Sequence, residues 1–368
     1  MALRILLSGT LAGVPGQGGA TWAILQYALG FRKLGHKVAF VEPVDAATPE
    51  VVAYFSRVAD EFGLDAALVV AGTHETVGSS YKQVFEAARA ADVLVNVSGV
   101  LREEALLEAP VRVYLDVDPA FNQLCHEDGI EVGLDGHTHF VTVGQALGQP
   151  DCDVPTLGRD WIPTVPPVVL ERWPRADRIE HDALTTVGNW RGYGSIERNG
   201  THYGQKAHSL RNFLDLPAMT GERFELALAI DPGETRDLEA LEAHGWGLLD
   251  PVREAGTPHD YASFVRGSKG EFGISKSGYV VSRSGWFSDR SACYLASGRP
   301  VIAQETGFSR FLPTGQGLFA FESAEDVVPA IDELRRDYKR HAAAARAIAE
   351  EHFDSDLVLT RLLERVWP

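Results

Sequence analysis

The sequence is poor in cysteine, short of positive charge and without a long apolar run, and each shortage removes a class of function. Three cysteines, Cys125, Cys152 and Cys293, occur in 368 residues. Their number is odd and their spacing fits neither a disulfide framework nor a zinc site, so they read as the reduced thiols of a cytoplasmic protein. Lys and Arg number 34 against 51 Asp and Glu, a formal net charge of -17. Charge of that sign disfavours nucleic acid and anionic membranes unless a basic patch offsets it, and no such patch stands out. The apolar opening MALRILLSGTLAG carries Arg4 and lacks a basic leader, and no later stretch approaches the length of a membrane span. The expectation is a soluble protein with no nucleic-acid partner and no integral membrane association. Internal repeats are also absent, and nothing fixes an oligomeric state.

Apolar residues are plentiful, at 45% of the chain, enough to bury the cores of two domains. The run LRILLSG leads into the Gly-rich TLAGVPGQGGA and then a stretch in which Trp22, Leu25 and Leu29 share a helical face. KVAFVEP, ALVVAG, DVLVNVSG and VRVYLDVD recur as short apolar runs between helix-like segments such as SSYKQVFEAARAA, the pattern of a doubly wound parallel sheet. Prolines crowd Gln149 to Pro174 and mark an interdomain link, set at 166–180. The alternation then restarts in LTTVGNW, FELALAID, WGLLDPV, SGYVVSR, RPVIAQ and LFAF. From Ser323 onward the chain reads as helix, with Ser323 and Asp326 at capping-box spacing and Asp354 or Ser355 capping a last helix. The fold class is thus α/β: two Rossmann-like doubly wound domains facing a cleft, over 1–165 and 181–350, and a C-terminal helix over 351–368.

Ligands of such sheets bind beyond the carboxyl ends of the strands. The segment RSGWFSDRSACYLASGRPVIAQETGF falls on that edge: SGYVVSR is expected as a strand, GWF as the loop leaving it, and SDRSACYLAS as a helix with Ser288 as N-cap and Gly298 as its left-handed stop. A helix start offers free backbone N–H groups and partial positive charge, and Ser288, Arg290 and Ser291 add donors suited to a phosphate. Arg290 can grip a diphosphate bidentately, while Asp289 can stabilise the helix start or accept from a ribose hydroxyl. GSKGEFGISKSG, with Lys269, Glu271 and Lys276, reads as a polar surface loop.

Further candidates follow from position. Gly16, Gly18 and Gly19 stand where a donor phosphate or sugar can approach the backbone, or form a tight turn. They lack the G-x-G-x-x-G spacing of a dinucleotide site. Asn189, Trp190 and Arg191 are expected to point into the cleft; Lys206 is placed to neutralise a phosphate oxygen, although a solvated surface position is the commoner fate of a lysine. Glu305, directly after PVIAQ, suits sugar hydroxyls, since a carboxylate accepts two hydrogen bonds and donates none. Asp116, Asp118, His137 and His139 are the candidate general bases. The His-x-His pair lacks further ligands of a zinc pattern, so no metal is expected.

With these residues in place, two stretches resemble the GT-B-fold, sugar-nucleotide-dependent glycosyltransferases. LASGRPVIAQETGF resembles their donor-binding segment, and VPGQGGATWAILQYALGFRKLGHKVAFVEP resembles their opening. The resemblance implies a cytoplasmic hexosyltransferase-type enzyme without metal or other cofactor, whose C-terminal domain holds a nucleoside diphosphate-sugar as co-substrate and whose N-terminal domain holds the acceptor, here expected to be a small molecule. Retaining members carry two glutamates in the segment matching Gly285 to Cys293, one gripping the ribose, and this chain has neither. Many inverting members place a histidine in the first loop, which is also absent. A sugar-nucleotide epimerase and a non-catalytic sugar-nucleotide-binding protein share the same expected donor pocket.

Overall fold

The computed structural model describes residues 2–367. Strands β1 (Arg4–Ser8), β2 (Lys37–Val44), β3 (Asp65–Val70), β4 (Thr76–Gly78), β5 (Val93–Val97), β6 (Val111–Asp116), β7 (His139–Thr142) and β8 (Trp161–Pro163) form a first sheet. Its order is β4-β3-β2-β1-β5-β6-β7-β8, parallel except for β4, which pairs antiparallel with β3. Every residue of β5 is buried, as expected for a strand covered on both faces. Helices α1 (Gly18–Lys33), α2 (Pro49–Phe62), α3 (Tyr81–Ala90) and α4 (Phe121–Glu127) belong to this half. Their ends follow local chemistry: Thr48 caps α2 with Pro49 at its first position, and Ser80 and Gln83 form a capping box on α3.

The second sheet contains β9 (His181–Asn189), β12 (Phe224–Ala229), β13 (Gly247–Leu248), β14 (Ser268–Gly273), β15 (Val301–Gln304) and β16 (Leu318–Phe321), while β10 (Ile196–Arg198) and β11 (Thr201–Tyr203) form a separate hairpin. Its order is β13-β12-β9-β14-β15-β16, so the chain reverses direction across the sheet between β9 and β14. That reversal leaves a crevice at the strands' carboxyl ends. The remaining helices are α5 (Lys206–Leu210), α6 (Leu216–Thr220), α7 (Thr235–Ala243), α8 (Pro251–Ala255), α9 (Pro258–Gly267), α10 (Ser277–Ser282), α11 (Asp289–Ala296), α12 (Ala324–Arg336), α13 (Tyr338–His352) and α14 (Ser355–Val366). The expected cap at Ser323 and Asp326 opens α12, and Asp354 caps α14.

The two halves are tied together on both sides of the cleft. On one side Trp22 of α1 donates to the Pro258 carbonyl at 2.7 Å, and its ring meets Trp173, which in turn meets Tyr261 of α9. On the other, Gly144 and Trp286 form an antiparallel bridge, and the Ala146 N–H donates to the Ser284 carbonyl at 2.9 Å. Helix α14 returns to the first half, where the Leu359 and Ser355 side chains lie against Gly30 of α1.

Three elements differ from the sequence reading. SGYVVS is helix α10, because Gly278, Tyr279 and Ser282 are buried at helical spacing while Val281 is 44% exposed. The neighbouring SKGEFG is not a surface loop but β14, paired with β9 and β15. A buried glutamate disguised it: Glu271 is tolerated there because Arg290 neutralises it. Finally, the proline-rich stretch from 149 includes β8, where Pro163 ends a strand on the sheet's edge.

Candidate functional site

A cavity of about 370 Å³ opens between the two halves. Its first-domain wall comes from the strand ends, with Ser98, Asp118 and Val143, and from Gln26 and Tyr27 of α1. Its second-domain wall comes from Lys276, Tyr279, Trp286, Phe287, Asp289 and Cys293. Tyr279 and Trp286 stack with ring centroids 4.1 Å apart. The Tyr27 hydroxyl is buried without a hydrogen-bond partner, and burial together with the charge of Asp289 raises its pKa. Such a pocket, apolar with a few convergent polar groups, suits an organic ligand.

Lys276 of that wall is joined, at the reversal between β9 and β14, by Arg290 and Lys206, which lie outside the cavity lining. Helix α11 starts as expected: the Ser288 hydroxyl accepts from the Arg290 N–H at 3.2 Å, and Gly298 adopts the left-handed conformation after the helix ends. Ser288 and Ser291, with Arg290, border a small recess at that helix start. Arg290 pairs with the fully buried Glu271 and donates to the Val187 carbonyl at 3.1 Å. Lys206 is 8% exposed and donates to the Ile274 carbonyl at 2.8 Å. Burial, followed by the charges of Arg290 and Lys276, pulls its pKa well below the usual lysine value, against the opposing pull of Glu271 and Asp289. Asp289 opens α11 half-buried, and burial raises its carboxyl pKa despite the nearby Arg290.

Several other sequence candidates do not line the cavity. Trp190 does not point into the cleft: it is 1% exposed and donates to Asp237 at 3.1 Å, held in the core of the second domain. Arg191 pairs with Glu234, and Asn189 is exposed at the end of β9. The Glu305 carboxylate accepts from the Gly307 N–H of its own turn. Gly18 and Gly19 face protein rather than open space, because a Cβ on Gly18 would strike the Thr257 carbonyl and one on Gly19 the Tyr261 ring. They let α1 lie against the second domain.

The four candidate bases separate in the same way. Asp116 is fully buried and accepts from Asn122, Gln123, Thr142 and the Asp118 N–H at 2.7 to 3.0 Å, which makes it an anchor of the loop after β6. His137 lies among Asn96, the Leu134 carbonyl and the Tyr114 ring, and burial lowers its pKa. His139 begins β7, at the amino end of the sheet, away from the cleft. Asp118 alone of the four lines the cavity. It accepts from Lys276 at 3.1 Å and from the hydroxyls of Tyr193 and Tyr279. Sequence reading missed Lys276, Tyr279 and Tyr193 as a unit, since they belong to the misassigned loop, the misassigned strand and an exposed turn. Among the described residues no group of three or more His, Cys, Asp or Glu is placed to hold a metal, and no helix is long and apolar enough to cross a membrane.

No protein-family model and no curated protein sequence matches the chain. Solved structures do. An alpha-glucosyltransferase in complex with UDP-glucose and DNA containing an abasic site superposes with a TM-score of 0.66 at 14% identity, covering 100% of both chains. HepE of Anabaena, in complex with UDP and glucose, gives 0.60 at 13% identity over 99% of both chains. A glycosyltransferase from Rickettsia africae gives 0.59 at 14% identity over 99% of this chain and 98% of that one. The DNA complex corrects the expectation of a small-molecule acceptor and no nucleic-acid partner: net charge is a whole-molecule quantity and does not exclude nucleic acid for a protein of this architecture. The chain has the GT-B fold of the UDP-sugar glycosyltransferases, two Rossmann-like domains facing a cleft, with a helical C-terminal segment.

Proposed function

We propose that the protein is a glycosyltransferase that takes its sugar from a uridine diphosphate-sugar. The observation that carries this reading is the convergence of Lys206, Arg290 and Lys276 at the β9/β14 reversal, beside the start of α11. Burial disfavours the charged form of Lys206, whose hydrogen bond goes to a carbonyl, and a diphosphate supplies the counter-charge that favours it. Ser288, Ser291 and the α11 amides add hydrogen bonds to the phosphate oxygens, and Asp289 accepts from a ribose hydroxyl. As the anomeric carbon leaves the donor, negative charge grows on the diphosphate, and the same cations meet it in a site already oriented for it. The likeness to structures holding UDP or UDP-glucose supports uridine as the base.

The acceptor side is the first-domain wall of the cavity, where Asp118 and Ser98 stand at strand ends. DNA is the acceptor class to try first, because a protein of this fold was solved with it. The test is release of UDP from UDP-glucose, with and without DNA, and in EDTA. The reading requires UDP binding and UDP release that survive the chelator. A protein that binds neither UDP nor UDP-glucose is not this enzyme, and formation of an epimerised sugar nucleotide would assign it to the epimerases.

A further inference from the structure

Three hydrogen-bond donors of the second domain converge on one carboxylate of the first. The Lys276 ammonium lies 3.1 Å from both oxygens of Asp118, and the hydroxyls of Tyr193 and Tyr279 donate to the same group. Lys276 also bonds the Tyr193 hydroxyl at 2.6 Å. Its ammonium is caged over the rings of Phe121, Tyr193 and Tyr279 at 4.7, 4.2 and 5.1 Å from their centroids. A cation flanked by two phenolic donors is a receptor for an oxyanion. Asp118 is only its present occupant.

The neighbourhood says what else fits. Lys276 stands two residues beyond Ile274, whose carbonyl holds Lys206, so the receptor shares its lysine with the cation group at the β9/β14 reversal. We propose that Lys276, Tyr193 and Tyr279 form an anion receptor that Asp118 fills in the unliganded protein and that the diphosphate of the donor takes over. This rests on the reading of the second domain as the donor domain. Asp118 is an internal competitor tethered close by, and such a competitor weakens binding by its effective concentration. Donor binding then breaks a link between the two domains and leaves the Asp118 carboxylate facing the cavity. The structure thereby implies an order, donor before acceptor.

The test uses calorimetry with inorganic pyrophosphate, UDP and uridine as probes. Asp118→Asn keeps the side chain's shape and removes its charge, and it should tighten pyrophosphate and UDP about tenfold while leaving uridine unchanged. Adding Lys276→Met should abolish that gain. If Asp118→Asn binds both phosphates no tighter than the parent, or if the gain persists without Lys276, the proposal is wrong. Should the amide variant melt early, Asp118→Ala serves for the same comparison. Pyrophosphate separates this idea from the nucleotide reading: tightening of pyrophosphate in a protein that ignores UDP keeps the receptor and discards the uridine donor.

Discussion

Arg290 of α11 and Glu271 of β14 form an ion pair in which the glutamate is fully buried and the arginine side chain 12% exposed. The pair ties the helix start to the strand beside it, and it changes what a substitution at Arg290 reports. Removing one partner of a buried pair costs roughly 3–5 kcal/mol, because the other charge is left without compensation. Arg290→Ala should therefore lose stability as well as UDP affinity, and chemical denaturation should show it. The double variant Arg290→Met with Glu271→Leu should recover much of the stability and none of the UDP affinity.

Lys206 provides a pH test. In the unliganded protein burial and the cations Arg290 and Lys276 lower its pKa well below 10.5, and a bound diphosphate restores the ammonium. UDP binding should take up protons between the lowered value and 10.5, and UDP affinity should fall as pH rises through that interval. Over the same range the unfolded chain holds a proton that the native state lacks, so stability of the unliganded protein should rise with pH. Calorimetry in buffers of different ionisation enthalpy measures the uptake, and Lys206→Met should abolish it.

Asp116 anchors a loop and should behave as a structural residue. Asp116→Ala leaves four donors, among them the side chains of Asn122, Gln123 and Thr142, without their acceptor, at a cost of at least about 3 kcal/mol. The melting temperature should fall, and UDP affinity of the fraction still folded should stay unchanged.

Gly18 sets the approach of α1 to the second domain. Gly18→Ala forces its methyl group against the Thr257 carbonyl and should cost about 1–3 kcal/mol through strain at the domain interface. Equilibrium unfolding should register that cost. A neutral result would show that the interface gives way easily.

The fold was legible because parallel strands buried on both faces appear in sequence as short apolar runs, as β1, β5 and β15 do. β14 escaped because its stability depends on a charge pair whose second member lies 19 residues later, beyond any local pattern. The helix start at Ser288 was legible from its cap and its glycine stop. The Asp118 cluster was not, since 158 residues separate Asp118 from Lys276 and only the facing of two domains joins them. Trp190 shows the converse error: an aromatic at a strand end looked exposed to the cleft, but its indole N–H is spent on Asp237.

A crystal structure of the UDP complex tests the donor site itself. The diphosphate should lie within hydrogen-bond distance of the Lys206 ammonium and the first amides of α11, with Asp118 withdrawn from Lys276. UDP bound away from the β9/β14 reversal, or bound there with Lys206 still on the Ile274 carbonyl and no phosphate near it, would contradict the assignment.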